Sequence, residues 1–414
     1  MSASGASAIE IEPRPYRMKN PIQNYAWGTR NQDAYIPQLL GITPEPDKPY
    51  GELWIGAHPS APSALNINGV WIPLPKVLQH SPKAILGDRV AAKFDNRLPY
   101  LLKVLSIGEA LSIQAHPTKA QAKLLHLRDP KNYPDDNYKP EIAIAITSLT
   151  ALVGFRPVNE IATLMQEYQA FVDIIGTQVT DTFLGNTALS DSDKIKILYS
   201  ALLKNALSDE IKLEAALAEI EQQCLTKNNR SEQDDLFLAL RKQYRTDVGL
   251  FSLYLLNLVH LQPGEAVYLS TGIPHAYLKG NIVECMANSD NVVRAGLTPK
   301  FKDVPTLLDI LTFEATPISI IRGDSEQTET CYTVPTDEFC LSRYQLQSDD
   351  RKIEQTAGKP HILLIIDGEI TVQWGTDQAE TYRRGQSVLI PSLINSYSIT
   401  ATKTALVFKS EIPE

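Results

Sequence analysis

The sequence predicts a mainly β protein with a helical insertion, on three observations. From about residue 20 to 156, short apolar runs alternate with Pro and Gly, which is typical of strands and turns. From 157 to about 250, apolar residues recur at helical intervals. Short apolar runs separated by Pro and Gly then resume and continue to the end of the chain. With 414 residues, 43% of them hydrophobic, the chain can form two or three domains with their own cores.

The first β segment, 20–156, contains one predicted helix. Thr118 and Gln121 form a capping-box pattern, in which each side chain bonds the backbone N–H of the other residue. Leu124 and Leu127 follow at helical spacing, and Pro130 lies just past the end. The rest of this segment is predicted to be strands and turns.

The helical insertion is assigned to 157–250. Asn159 is a candidate N-cap, and Ile161, Leu164, Met165 and Tyr168 recur at helical spacing behind it. Because strand-like sequence lies on both sides, the insertion divides one β domain into two parts. These parts are 20–156 and 251–320, and a C-terminal β domain follows over 321–414.

The N-terminus and the composition exclude several classes of protein. Residues 1–19 are assigned as a flexible N-terminus without the apolar core of a signal peptide. No apolar run reaches membrane-spanning length, so we expect a soluble protein. The net charge of -9 disfavours nucleic acid as a partner. The four cysteines show no close pairing, which favours a reducing cytoplasm.

Four side chains of metal-binding type stand in strand-like segments. Gln114 and His116 alternate with apolar neighbours, so their side chains should project from one face. Glu141 opens a second alternating run, and His275 lies further along the chain. Two oxygens and two neutral imidazoles suit zinc. The pattern therefore predicts a metal enzyme.

The spacing of these residues is similar to the cupin signatures. Gly108, Gln114 and His116 match the first signature, with Gln where His is usual, and Gly264 and His275 match the second. Near the C-terminus the second pattern starts again, but Ser396 stands at the histidine position. We therefore predict two cupin-like jelly-roll β domains, the first binding metal and the second not. The alternative for the C-terminal match is an ordinary spacing of turn residues.

The other histidines carry no ligand pattern. We interpret them as packed or surface residues, and His58, in a Gly-Ala-His-Pro loop, as a loop histidine. The remaining ones are His80, His126, His260 and His361.

Several longer motifs resemble those of the type I mannose-6-phosphate isomerase (phosphomannose isomerase) family of the cupin superfamily. They are QNYAWG at 23–28, ELW at 52–54, GAHP at 56–59, SIQAHP at 112–117, NYPDDN at 132–137, KPE at 139–141, IPHAY at 273–277 and VECMANSDNVVRAGLTPK at 283–300. The resemblance covers about 20–302 and continues more loosely to the end. One departure is Tyr138, where many members of the family have a histidine, and we take it as evidence that this histidine is not obligatory.

The resemblance implies roles for individual residues. It implies one zinc ion per chain, held by Gln114, His116, Glu141 and His275. Arg294 is implied at the active site, where its charge suits phosphate binding or charge stabilisation. Lys139 and Glu284 fall on pocket positions of the family. Other expected substrate-binding residues are Ser112, Lys103 and Lys300.

The implied reaction interconverts D-mannose 6-phosphate and D-fructose 6-phosphate through a cis-enediol. It needs a base, for which our order is Glu284, then Lys139, then Asp290. We expect a cytoplasmic monomer that serves mannose metabolism and GDP-mannose biosynthesis, with a sugar phosphate as its partner. Two alternatives stay open: a cupin-type binding protein without activity, and an iron-dependent cupin oxygenase, which Gln114 fits poorly.

Overall fold

The structure is a computed structural model that describes residues 9–315, 317–323 and 327–414. Antiparallel sheets and helices occupy similar shares of the chain, so helix content exceeds what a mainly β protein would have. The strands are β1 (Tyr16–Lys19), β2 (Ile22–Gln23), β3 (Glu52–Gly56), β4 (Ala64–Ile67), β5 (Val70–Pro73), β6 (Tyr100–Ile107), β7 (Ile113–Ala115), β8 (Glu141–Ala145), β9 (Leu149–Phe155), β10 (Leu256–Leu261), β11 (Ala266–Leu269), β12 (His275–Ala287), β13 (Val293–Gly296), β14 (Ile320–Ile321), β15 (Glu329–Tyr332), β16 (Cys340–Leu346), β17 (Arg351–Gln355), β18 (His361–Asp367), β19 (Glu369–Trp374), β20 (Gln378–Arg383), β21 (Ser387–Ile390), β22 (Ser396–Ala401) and β23 (Ala405–Glu411).

Helices lie before β6, between β7 and β8, in a long run between β9 and β10, and after β13. They are α1 (Tyr35–Leu40), α2 (Leu74–His80), α3 (Pro82–Leu86), α4 (Asp88–Lys93), α5 (Lys119–Arg128), α6 (Val158–Glu167), α7 (Gln169–Ile175), α8 (Thr177–Gly185), α9 (Asp191–Ser208), α10 (Glu210–Thr226), α11 (Glu232–Tyr244), α12 (Gly249–Leu255) and α13 (Val304–Ile310). A single turn of 3-10 helix covers Asn31–Asp33. None of the described helices is long and apolar enough to cross a membrane.

The long strand β12 joins two layers of strands. Its first residues pair with β7 and β9, and its second half pairs with β6 and β8. At Gly280 the strand has a φ of 135° and runs close to Ser148, so that a Cβ atom there would lie 2.6 Å from the carbonyl oxygen of Ser148. Glycine is therefore required where the strand passes between layers. Because β12 passes from one layer to the other, residues far apart along this strand face the same interior space.

The C-terminal strands share a sheet with strands from the start of the chain. This eight-stranded sheet has the order β15-β16-β23-β18-β21-β1-β4-β5, and a four-stranded sheet has the order β17-β22-β19-β20. In β1, Tyr16 lies opposite Leu389 and is fully buried. Our assignment of 1–19 as flexible is thus wrong for β1, whereas residues 1–8 lie outside the described residues. The inclusion of β4 and β5 also means that 20–156 does not belong wholly to the first domain.

An apolar interface joins the sheet of β6, β8 and β12 to the eight-stranded sheet. Leu102, Ile142 and Val283 of the former share one buried cluster with Ile362 and Phe408 of the latter. Each of these side chains is at most 1% exposed. Removing this much apolar surface from water is the main term that holds the two sheets together.

Between β9 and β10 the chain is helical from Val158 to Leu255, where the sequence predicted a helical insertion over 157–250. Its helices α6–α12 surround a core of their own that extends to α13 and the nearby strands. The capping box of α5 is confirmed, with Thr118 and Gln121 bonding reciprocally. The sequence prediction missed α1–α4, because helices of five to seven residues show too few turns for a period to be recognised.

Candidate metal centre and active site

Neighbouring strands bring Arg294, Gln114 and His275 into one row. Arg294 of β13 lies opposite Gln114 of β7, which in turn lies opposite His275 of β12. Directly opposed residues of antiparallel strands project their side chains from the same face. The Nε2 atoms of Gln114 and His275 are accordingly 3.5 Å apart.

Glu141 and His116 complete a group of metal-binding side chains around His275. Ligand atoms of these three residues lie within 4.8 Å of one another, and all three residues are buried. Nε2 of His116 is 3.6 Å from Oε2 of Glu141, and Nε2 of His275 is 3.1 Å from Oε1 of the same carboxylate. Segments far apart in the sequence therefore meet at one point.

Backbone carbonyl groups fix the orientation of both imidazole rings. Nδ1 of His116 lies 2.7 Å from the carbonyl oxygen of Asn291, and Nδ1 of His275 lies 2.9 Å from that of Ile273. Since a carbonyl oxygen only accepts hydrogen bonds, Nδ1 carries the proton in each ring. Each Nε2 is left with a lone pair that points towards Glu141. Outer carbonyl groups orient metal-ligating histidines in this way.

The donor set fits zinc. Tetrahedral bonds of about 2.0–2.2 Å place neighbouring ligand atoms about 3.4 Å apart. The separations between Glu141 and the two histidines, 3.1 and 3.6 Å, are close to that value. Gln114 can supply a fourth donor, because rotating its side-chain amide exchanges Nε2 for Oε1. The four groups are therefore able to hold a zinc ion.

The Lys139 ammonium group lies among the ligand atoms. Its Nζ is 2.7 Å from Oε2 of Glu141 and 3.4 Å from Nε2 of His116. Burial favours the neutral carboxyl, but the charge of the Lys139 ammonium group holds the pKa of Glu141 well below its usual range. Burial, reinforced by Lys139, also holds the pKa of His116 well below 6.5. An ionised carboxylate and a neutral imidazole are the forms that bind metal.

A second buried cluster lies beside the first and consists of Glu52, Lys103 and Glu284. Nζ of Lys103 is 3.1 Å from Glu284 and 3.4 Å from Glu52. Burial disfavours the ammonium form, yet the two carboxylates raise the pKa of Lys103. Burial raises the pKa of Glu284 more than Lys103 lowers it. Glu284 is thus a carboxyl group that can exchange a proton closer to neutral pH.

Tyr277 links the two clusters. Its hydroxyl donates a hydrogen bond of 3.2 Å to Oε1 of Glu141. Burial, together with the charges of Glu141 and Glu284, raises the pKa of Tyr277, so the phenol stays protonated. The sequence prediction missed this residue as a functional group. Its position two residues after His275 in β12 could have indicated it, because such residues share a face.

Asp290 is paired with His58. Nε2 of His58 lies 3.3 Å from Oδ2 of Asp290, and the imidazole is 3% exposed. Although burial favours the neutral acid, the hydrogen bond and charge of His58 lower the pKa of Asp290. His58 is therefore a buried partner of a candidate active-site carboxylate and not merely a loop histidine, as we had interpreted it.

Arg294 and Lys300 supply cationic groups without anionic partners. Among the residues that the structure describes, neither side chain makes an ion pair or a hydrogen bond. Burial lowers the pKa of Arg294, and burial together with the Arg294 charge lowers the pKa of Lys300. The two positive groups are thus close to each other and available for an anion.

Two further sequence candidates have clear positions. Ser112 is half-buried immediately before β7. Tyr138 points away from Lys139 and Glu141, since its hydroxyl donates a hydrogen bond of 2.6 Å to Glu338 in the C-terminal domain. Tyr138, which stands where the family resemblance implies a histidine, therefore contacts a residue that lies just before β16.

A cleft of about 1020 Å³ opens beside Asp290, and its lining includes His58, Lys119 and Asn288. The candidate metal ligands and Arg294 do not line this cleft. The buried groups therefore define the reaction site better than this cleft does.

Comparisons with known proteins agree on one family. The family profile of the phosphomannose isomerase type I catalytic domain matches residues 16–158. Mannose-6-phosphate isomerases of Macaca fascicularis and Homo sapiens are each 36% identical, over 96% of this chain and 98% of their own. A zinc-bound holo structure of mannose 6-phosphate isomerase has a TM-score of 0.85 at 29% identity, covering 97% of this chain and 100% of that chain. A mutant phosphomannose isomerase from Salmonella typhimurium has a TM-score of 0.84 at 30% identity, covering 96% and 99%.

The similarity extends over almost the whole chain, and the aligned relatives are enzymes of one activity. The buried cluster of His116, Glu141 and His275 lies in a fold shared with a zinc-bound member. On these grounds the chain belongs to the type I mannose-6-phosphate isomerase family and is an isomerase.

Proposed function

We propose that the chain is a zinc-dependent aldose-ketose isomerase that interconverts D-mannose 6-phosphate and D-fructose 6-phosphate through a cis-enediol. The observation that carries this proposal is the meeting of two buried groups. Ligand atoms of His116, Glu141 and His275 converge within 4.8 Å, and the Tyr277 hydroxyl, which bonds Glu141, lies near Glu284, a carboxyl group whose pKa is raised. Isomerisation needs both an electrophile and a base at one carbon pair.

One zinc ion per chain would be held by Gln114, His116, Glu141 and His275. When bound, zinc supplies a positive charge beside the oxygen on which negative charge develops as the proton leaves. Three of the four ligands are neutral, so by simple ligand counting the centre keeps a formal charge of about +1. The chain's own contribution is to hold these ligands in place and keep water away from them.

Glu284 is the proposed base that moves the proton between C2 and C1. Its raised pKa favours proton exchange near neutral pH, and Lys103 holds the carboxylate in place. The other candidates suit the task less well. Lys139 is engaged by Glu141 at 2.7 Å, and the lowered pKa of Asp290 makes it a weaker base.

Arg294 and Lys300 are proposed to bind the phosphate, or to stabilise the developing enediolate. Both are free of anionic partners among the described residues, and a guanidinium group can hold a phosphate in a bidentate manner. Lys103, which the family resemblance implies as a substrate-binding residue, is already neutralised by Glu52 and Glu284, so we do not propose it as a phosphate ligand. Ser112 is proposed to bind a substrate hydroxyl from its position before β7.

The domain organisation is part of the proposal. Two cupin-like jelly rolls share one chain, and the C-terminal one carries no metal and covers an apolar face of the first. This burial within the chain supports a monomer, and the four free cysteines support a reducing compartment.

A single experiment separates this proposal from an inactive binding protein and from an iron-dependent oxygenase. The purified protein is treated with a chelator, assayed for mannose 6-phosphate isomerisation, and then reloaded with zinc or iron(II). We expect activity to disappear with the metal and to return with zinc. Zinc-loaded protein without isomerase activity would contradict the proposal, and so would oxygen consumption restored by iron.

A further inference from the structure

We propose that Asp247, in the helical insertion, is a positioning residue that holds the segment carrying Arg294 and Lys300 in its phosphate-binding conformation. This proposal rests on the function assigned to those two cations above. It gives the helical insertion a role in the reaction, which its position in the sequence does not reveal. The segment concerned, residues 294–302, is called the cationic segment below.

The buried carboxylate of Asp247 accepts hydrogen bonds from backbone amide groups of the cationic segment. Oδ1 of Asp247 accepts hydrogen bonds of 2.7 Å from the N–H groups of Leu297 and Gly249, and Oδ2 accepts one of 3.4 Å from that of Thr298. Asp247 is 6% exposed, so these bonds are shielded from water. A carboxylate that accepts several backbone N–H groups makes some of the stronger hydrogen bonds in proteins. Asp247 thereby ties the start of α12 to the cationic segment.

The cationic segment needs such an anchor, because its backbone is strained. Leu297 has a φ of 52°, a left-handed conformation that is unfavourable for a side chain of this size. A residue in this region persists only when its surroundings hold it there, and such residues are common at functional sites. The bond from the Leu297 N–H to Asp247 is one of the contacts that do so.

Two glycines allow the helical insertion to approach this closely. A Cβ atom on Gly249 would lie 2.6 Å from the backbone nitrogen of Leu297, and one on Gly296 would lie 2.4 Å from Cα of Gly249. Both distances are shorter than side chains tolerate, so the two backbones touch directly. The contact leaves the cationic segment little freedom to move relative to α12.

Asp247 also forms an ion pair with one of the cations of the cationic segment. Its Oδ2 lies 3.1 Å from Nζ of Lys302, and the same ammonium group is 3.4 Å from the carbonyl oxygen of Thr298. Lys302 is thereby turned towards the helical insertion, whereas Arg294 and Lys300 keep no anionic partner within the described ranges. Asp247 therefore pairs with Lys302, and Arg294 and Lys300 stay available to the phosphate.

The test compares Asp247→Asn with Asp234→Asn, a matched control. Asp234 is also a buried carboxylate of the helical insertion with a lysine partner, Lys227, but it bonds Tyr254 and Ser231 and not the cationic segment. Two quantities are measured on the zinc-loaded protein. They are the inhibition constant of inorganic phosphate and the rate of deuterium exchange at the amides of 296–302.

We expect Asp247→Asn to speed exchange across 296–302 and to raise the phosphate inhibition constant about 10-fold to 100-fold, with zinc content unchanged. Asp234→Asn should lower the melting temperature but leave both quantities as they are. Unchanged exchange or an unchanged inhibition constant in Asp247→Asn would overturn the proposal. If Asp247→Asn does not fold, Lys302→Met, which removes one of the contacts, should change both quantities in the same direction by less. No change in Lys302→Met would then overturn the proposal.

An Arg294→Met variant separates failure of this inference from failure of the proposed function. It should raise the phosphate inhibition constant without speeding exchange at Leu297 and Thr298. If Arg294→Met leaves phosphate inhibition unchanged, the phosphate assignment is wrong and the role of Asp247 falls with it. If Arg294→Met weakens phosphate inhibition and Asp247→Asn does not, the inference alone is wrong.

Discussion

Replacing Glu141 with Gln should remove the metal and with it the activity. The substitution keeps the size of the side chain but removes the one anionic ligand of the proposed centre. It also takes a carboxylate from Lys139, 2.7 Å away, and from His275, 3.1 Å away. Both the zinc affinity and the free energy of unfolding are therefore affected.

The magnitudes follow from burial. Glu141 is fully buried and the Lys139 side chain is 8% exposed, so Glu141→Gln leaves an ammonium group in the interior without a counter-charge. Breaking a buried ion pair on one side destabilises a protein by about 3–5 kcal/mol. Changing a residue that only orients a ligand weakens metal binding about 10-fold to 100-fold. Removing an anionic ligand should exceed the upper end of that range.

The assay measures zinc content after dialysis against buffered free zinc, together with the melting temperature. Lys139→Met serves as the control, because it removes the buried cation and leaves every proposed ligand in place. We expect Lys139→Met to retain zinc and Glu141→Gln to lose it. Glu141→Gln protein that binds zinc as tightly as the unsubstituted chain would refute the assignment of Glu141 as a ligand.

Three further predictions concern charge. Arg294→Ala should keep zinc and lower kcat about 10²-fold to 10³-fold, because it removes a donor aimed at substrate charge. Steady-state kinetics and metal analysis check this prediction, and a near-normal kcat and KM would contradict it. Lys103→Met should move the acid limb of the pH profile of kcat/KM to higher pH, because the Lys103 charge lowers the pKa of Glu284. If the acid limb stays at the same pH, Glu284 is not the base. Burial disfavours the ionised form of Glu411, but His361 and Lys409 outweigh it and lower the pKa of Glu411 from 4.5 to about 2, so ionised Glu411 stabilises the folded chain. Since the folded pKa is depressed, this stability is present above pH 4.5 and is lost as the pH falls towards 2, so the difference in melting temperature between Glu411→Gln and the unsubstituted chain should shrink over that window.

The parts of the molecule that the sequence predicted are those set by local pattern. Alternation in the strand before His116 placed Gln114 and His116 on one face, and the structure has both beside His275. The helical insertion was recognisable because several turns of apolar periodicity accumulate over its length. The capping box of α5 was recognisable from two side chains three residues apart.

The parts that were missed depend on register between distant strands. Tyr16 pairs with Leu389, a partner that no local pattern identifies, so β1 could not be assigned to the C-terminal sheet. The contact of Glu52 with Lys103 likewise requires the register of β3 against β6, where Trp54 lies opposite Lys103. The pairing of His58 with Asp290 joins two loops, whose conformation the sequence does not determine.

We propose that one zinc ion lies between Gln114, His116, Glu141 and His275. The most direct test is an anomalous difference map, recorded at the zinc absorption edge, from crystals of the protein grown with zinc. We predict one peak per chain, at about 2.0–2.2 Å from Nε2 of both histidines and from the side-chain oxygens of Gln114 and Glu141. A peak that omits Gln114 or His275, or a second peak of equal height in the C-terminal domain, would contradict the claim.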